Sequence, residues 1–193
     1  MRRKPDYEHL YTIAESQAGY FTTRQAKTAG FSAERLSNNV KNGKFLRVVR
    51  GVYRLKHFPA SPHETLFIAH LMTGSRSVIS HESALSLYKL SDALPGAIHV
   101  TIPRTASHRR KGLRLHTNRL APDETTHYMG LPVTTVARTV ADVANSGLAE
   151  TLVRQAIREA LQRGIVTQEE LHQQAMQGGL ARRVIWDVLG ERE

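Results

Sequence analysis

Ten histidines are the first candidates for chemistry in this chain of 193 residues. His81-Glu82 opens like the helix of a zinc hydrolase. The second ligand of a His-Glu-x-x-His pair would have to stand where Leu85 does, so the ligand spacing fails. The residue types therefore predict a polar helix-start residue at His81 rather than a ligand. His63 and His70 are two helical turns apart, too far for one ion held from one helix face. The absence of cysteine excludes disulfides, thiolate zinc, iron–sulfur clusters and thiol catalysis. No Gly-rich phosphate loop and no Gly-x-Ser-x-Gly elbow occurs. A magnesium-dependent nuclease needs carboxylates clustered on neighbouring strands, whereas Glu150, Glu159, Glu169, Glu170 and Asp187 all fall in helical patterns. Arg138 and Asp142, four apart on a helix, read as ordinary surface or interface electrostatics. The sequence thus predicts no catalytic residue, no metal and no cofactor.

Binding chemistry is more plentiful. The formal charge is +10, with a pI near 10.3, and it is concentrated. Residues 1–56 hold 12 Lys and Arg against four acids. A second island contains Arg104, Arg109, Arg110, Lys111, Arg114 and Arg119 with no acid among them. Concentrated positive charge fits a nucleic-acid partner. In the first island, Arg35 can fork onto guanine and Asn38 onto adenine, while Ser32, Ala33, Ser37 and Lys41 share the same helix surface. Thr23, Arg24, Arg47, Arg50 and Arg54 complete the expected contact set. On this reading Arg35→Ala relaxes base preference, and Arg54→Ala weakens binding to every sequence.

The elements that must position these groups follow from local pattern. Leu10, Ile13 and Ala14 recur at helical spacing and the run ends at Gly19. Thr22-Thr23-Arg24-Gln25 has the form of a capping box, opening a short helix that stops at Gly30. Ser32 caps a third helix from Ala33 to Asn42, with Leu36 and Val40 inward. Two short helices about a glycine turn are helix-turn-helix geometry. Phe45–Val49 and Val52–Leu55 then read as a hairpin about Arg50-Gly51. The simplest register sets Val48 against Tyr53, Leu46 against Leu55 and Arg47 against Arg54, opposing two like charges that a phosphate would relieve.

Phe21 to Gly43 (FTTRQAKTAGFSAERLSNNVKNG) followed by RGVYRL (Arg50 to Leu55) resembles the winged helix-turn-helix that opens the AbiEi antitoxins of type IV toxin–antitoxin systems. Gln25-Ala26, Gly30, Leu36, Gly43 and Gly51-Val52-Tyr53 carry the likeness. It continues through SHESALSLYKL (Ser80 to Leu90), IHVTIP (Ile98 to Pro103) and GLPVTTVARTVADVA (Gly130 to Ala144). The resemblance implies a bacterial cytoplasmic repressor that binds repeats in its own promoter. It also implies a nucleotidyltransferase toxin encoded alongside, counteracted without a stable complex.

The rest of the chain reads as α+β. Pro59 and Pro62 mark a junction, so the expected domains are a winged helix-turn-helix over 1–57 and a mixed α+β domain with a helical C-terminal end over 62–193. Ser61-Pro62-His63-Glu64 predicts a capping box at a helix start. A further helix is expected from His81 to Lys89, strands over Ile98–Ile102 and Leu113–Thr117, and weaker strand signals at Thr125–Tyr128 and Leu131–Val133. Three helical regions close the chain, the middle one burying Leu148, Leu152, Ile157 and Leu161. No apolar run approaches a membrane span, and Met1-Arg2-Arg3-Lys4 is followed by Pro5-Asp6-Tyr7-Glu8 rather than an apolar leader. Double-stranded DNA is the expected partner, bound by a homodimer if its operator has two half-sites. An orphan transcriptional regulator, or an interaction module whose helical C-terminal half binds a protein, are the alternatives.

Overall fold

A computed structural model describes residues 4–103 and 111–190. The chain forms two compact units, Met1–Ser75 with Met129–Leu131, and Arg76–Tyr128 with Pro132–Glu193.

The first unit runs α1 (Tyr7–Glu15), β1 (Tyr20–Thr22), α2 (Thr23–Thr28), α3 (Ala33–Lys41), β2 (Phe45–Val49), β3 (Val52–Leu55) and α4 (Glu64–Thr73). Asp6, Thr22 and Ser32 cap the first three helices through side-chain oxygens that accept backbone N–H bonds. At Thr22 the capping box is complete, with Gln25 Oε1 accepting the Thr22 N–H at 2.8 Å. Leu10, Ala14, Phe21, Ala26, Phe31, Leu36 and Phe45 form one core, to which each buried Phe contributes roughly 1.5–3 kcal/mol of transfer free energy. An edge-on contact between the Phe21 and Phe45 rings ties β1 to β2 through the core.

The sheet has three strands in the order β1-β3-β2, one more than the sequence pattern shows. The register also differs from expectation. Leu46 faces Arg54 and Arg47 faces Tyr53, because a bulge between Arg47 and Val49 adds one residue to β2 before the Arg50-Gly51 turn. The two arginines are therefore not opposed, and Leu46 rather than a second cation lies across from Arg54. The expected capping box at Ser61 is also absent. Ser61 Oγ accepts the His63 N–H in a local turn, and α4 begins at Glu64 with no side-chain cap. This helix belongs to the first unit and packs on β1 and β3.

The second unit contains β4 (Val78–Ile79), α5 (His81–Tyr88), β5 (Ile98–Thr101), β6 (Leu113–His116), a 3-10 turn at Pro122–Glu124, β7 (Thr125–Tyr128) and β8 (Leu131–Thr134), whose first residue belongs to the first unit. Four helices follow: α6 (Val136–Asn145), α7 (Glu150–Gln162), α8 (Gln168–Ala175) and α9 (Gly179–Leu189). The five strands stand in the order β6-β5-β4-β8-β7, with β5 parallel to β6 and β4 antiparallel to β5 but parallel to β8. The two-residue β4 is too short to leave a periodic signal, yet it joins both halves of the sheet.

Every residue of α6 from Val136 to Ala144 is buried, and α5, α7, α8 and α9 all pack against it. The buried stripe of α7 is Val153, Ala156, Ile157 and Ala160; of the predicted set only Ile157 is fully buried, because small residues let α7 approach its neighbours closely. Thr167 and Glu170 form the capping box that opens α8. Among the described residues, no helix is long and apolar enough to cross a membrane.

Candidate nucleic-acid interface

Burial of Leu36 and Asn39 fixes which face of α3 turns outward. Asn39, unassigned in the sequence reading, is a structural residue. Its Oδ1 accepts from Tyr7 Oη at 3.1 Å, and its Nδ2 donates to the Arg35 carbonyl at 2.8 Å, tying α1 to α3. Ser32, Ala33, Glu34, Ser37, Asn38 and Lys41 are exposed, while Arg35 is half-buried at the flank. Glu34 and Asn38, four apart, stand one above the other near the middle of this face. The carboxylate was not among the expected contacts, and residue type alone gives no sign that it sits centrally. Ser32 Oγ accepts the Arg35 N–H at 3.2 Å, which caps the start of α3.

Gly30, at φ +81°, makes the turn into α3. A Cβ there would lie 2.7 Å from the Lys4 carbonyl oxygen, so the turn holds the N-terminal segment against it. Thr23 is committed locally: its N–H donates to the Gly51 carbonyl at 3.0 Å and its hydroxyl to the same oxygen at 3.4 Å. Those bonds tie the start of α2 to the tip of the hairpin. Arg24 and Lys27 on α2, Arg47 on β2 and Arg50 at the hairpin tip are exposed.

Arg54 is placed otherwise. It is half-buried, its Nη2 donates to the Phe58 carbonyl at 2.5 Å, and its guanidinium lies over the Tyr20 ring at 5.7 Å. Its Nε is buried with no hydrogen-bond partner among the described residues. The geometry makes Arg54 a clamp inside the first unit.

In the second basic island, Arg104, Arg109 and Arg110 lie outside the described residues. Lys111, Arg114 and Arg119 are exposed, but Arg114 lines a polar cavity beside His116 whereas Arg119 lines a different one with Arg76.

The second unit also holds a polar centre that sequence spacing conceals. Arg138 is not on the surface. It is 8% exposed, donates from Nε to Asp142 Oδ1 at 2.9 Å, and pairs through Nη1 with Glu124 Oε1 at 2.8 Å. Burial opposes ionisation of Glu124, but the Ala121 N–H, Arg138 and Gln177 outweigh it and hold the carboxyl below its ordinary range. Burial wins at Asp142 and raises it despite Arg138.

Against this triad stand His81, His99 and His116, one each from α5, β5 and β6. The His81 and His116 rings stack at 3.5 Å, and His99 Nδ1 lies 3.3 Å from His116 Nε2. Burial lowers all three, with added repulsion from neighbouring positive groups, His81 to about 3 and His116 to about 4. They are neutral at pH 7. Intervals of 18 and 17 residues match no ligand motif, so only the packing of α5 on the β5–β6 pair brings them together.

The first unit is thus a winged helix-turn-helix: α2 and α3 about the Gly30 turn, then the β2–β3 wing with β1 as third strand. Residues 8–56 match the family described as transcriptional regulator, AbiEi antitoxin, the region that carries the resemblance read from the sequence. No curated protein matches the chain. Among solved structures, the RV2827C protein from Mycobacterium tuberculosis superposes with a TM-score of 0.56 at 14% identity, over 98% of this chain and 78% of that one. That likeness is one of fold.

Proposed function

We propose that the chain is a DNA-binding transcriptional regulator of the antitoxin kind, with α3 as its recognition helix and the β2–β3 hairpin as its wing. The observation that carries this reading is the exposed polar face of α3 beside exposed Arg24, Lys27, Arg47 and Arg50, in the region that matches the regulator family. Asn38 reads a base edge by accepting and donating together, and Glu34 accepts from a cytosine amino group. Arg35 reaches a guanine from the flank of the helix, with Ala33 and Ser37 in contact beside it. Ser32, Lys41, Arg47 and Arg50 hold phosphates, and Arg24 approaches the backbone from α2. Thr23 and Arg54 serve by fixing the wing. Lys111, Arg114 and Arg119 add contacts only where the DNA reaches the second unit.

The resemblance to AbiEi antitoxins supports repression of the chain's own promoter in the cytoplasm and counteraction of a nucleotidyltransferase toxin of a type IV system, without catalysis and without a stable complex. A reporter driven by the DNA upstream of the gene tests it. Expression of the wild-type chain is expected to lower reporter output at least tenfold, Lys41→Ala with Arg50→Ala is expected to restore it, and an unresponsive reporter would contradict autoregulation. Co-expression with the neighbouring gene tests the toxin arm, where rescue of growth without co-purification is the expected result.

A further inference from the structure

The histidine cluster of the second unit has no part in the proposed DNA contact. Three imidazoles from three elements each offer one ring nitrogen, and those atoms lie within 4.8 Å of one another. Three neutral imidazoles bring three bare nitrogens as well as three N–H groups. Among the described residues their hydrogen bonds are few: His81 Nδ1 with Ser80 Oγ at 3.0 Å, and His99 Nδ1 with His116 Nε2 at 3.3 Å. The His99–His116 pair shares one proton, and three donor atoms gathered this closely suit a single metal ion.

Two independent features point the same way. Asp142, only 5% exposed, has an Oδ2 with no hydrogen-bond partner among the described residues, 3.8 Å from His81 Nδ1. A buried carboxylate oxygen left unpaired is costly, and here it faces the imidazole whose other nitrogen is available. Metal-bound histidines commonly turn their second nitrogen to such a carboxylate. His81 also has a backbone φ of +52°, a conformation that non-glycine residues rarely adopt. The strain is held in place by Ser80, whose Oγ contacts His81 Nδ1 and accepts from Thr101 Oγ1 at 2.8 Å. Around the cluster the carboxylates of Glu124 and Asp142 balance the guanidiniums of Arg138 and Arg114, so no net positive charge opposes a cation. A polar cavity of about 360 Å³, whose lining includes His81, His116, Asp142, Asn145, Arg114 and Arg138, gives an ion access from solvent, and its two guanidiniums suit an anionic ligand on that ion.

We infer that His81, His99 and His116 form a site for a divalent transition-metal ion of the zinc class, with Asp142 as the adjacent carboxylate. Imidazole donors select this class over magnesium or calcium, which prefer an all-oxygen shell. Three protein nitrogens leave an open position toward the cavity, as in zinc sites that bind an exogenous ligand.

The test uses the full chain, stripped with a chelator and titrated with Zn²⁺ against a chromophoric competitor. Wild type is expected to take up one equivalent at micromolar affinity or tighter. His116→Gln, at the half-exposed member, is expected to weaken binding at least tenfold, and Asp142→Asn about tenfold. His127→Gln, an exposed histidine outside the cluster, serves as the unaffected control. Wild type that binds no zinc, or His116→Gln that binds as wild type does, would overturn the site. Should the variants fail to fold, wild type alone decides the matter by diethylpyrocarbonate labelling read by mass spectrometry. One equivalent of Zn²⁺ is expected to protect His116 and leave His127 reactive, and equal labelling of His116 with and without Zn²⁺ refutes the assignment.

Discussion

Arg50 and Arg54 lie four residues apart on the same hairpin, and the structure gives the two arginines different surroundings. Arg50 is exposed at the wing tip, whereas Arg54 is bonded to the Phe58 carbonyl and packed on Tyr20. On the proposed reading, Arg50→Ala removes one phosphate contact. The log–log salt slope then falls by about 0.9, so that raising salt from 50 to 200 mM weakens the variant about 3.5-fold less than wild type. The loss is the same for operator and unrelated DNA, and the melting temperature stays within about 1 °C, as expected for an exposed side chain. Arg54→Ala instead removes a charge-assisted hydrogen bond worth roughly 1.5–3 kcal/mol. At about 2–4 °C per kcal/mol for a chain of this size, its melting temperature is expected to fall by roughly 3–12 °C. Fluorescence anisotropy at four salt concentrations, with thermal unfolding in parallel, separates the two. If Arg54→Ala keeps full stability and lowers the salt slope while Arg50→Ala does neither, the placement of both side chains is wrong.

Other variants probe other parts. Arg138→Met strands Glu124 and Asp142 without their cation, and urea unfolding should show a loss of about 3–5 kcal/mol; a loss below about 1 kcal/mol would mean the triad is not buried in solution. Gly30→Ala forces a Cβ into a backbone position at positive φ, 2.7 Å from the Lys4 carbonyl, and should cost about 2 kcal/mol or more in the same assay. Asn38→Ala should weaken operator binding by about 1–3 kcal/mol, leave non-specific binding unchanged and relax the preference at one base pair; parallel losses on both DNAs would make it a phosphate contact instead.

The first unit was the more legible in the sequence because its signals are local. Caps at Thr22 and Ser32, glycines at Gly30 and Gly51 and a dense apolar core leave their marks within a few residues of the element they define. What escaped was non-local. The third strand, β1, is three residues long and exists only because β3 pairs with it, and the bulge in β2 reverses the pairing of Arg47 without changing any residue type. The same limit applies more strongly in the second unit. An i,i+4 arginine and aspartate look alike on a surface helix and a central one, so Arg138–Asp142 could be placed only once α6 was seen wrapped by four helices. His81 was judged by its helical neighbours, but its partners come from β5 and β6. Asn39 on α3, which the sequence left unassigned, likewise owes its place to a partner outside its helix, Tyr7 on α1.

The central claim, sequence-selective DNA binding through α3 and the wing, is tested most directly by gel-shift titration of the full chain. The DNA immediately upstream of its gene is compared with an unrelated duplex of equal length at 50 and 200 mM salt. Binding to the upstream DNA at least a thousandfold tighter than to the control, at both salt concentrations, is the predicted result. Equal affinity for the two duplexes, with the same steep salt dependence, would reduce the first unit to a general DNA clamp and contradict base reading by α3.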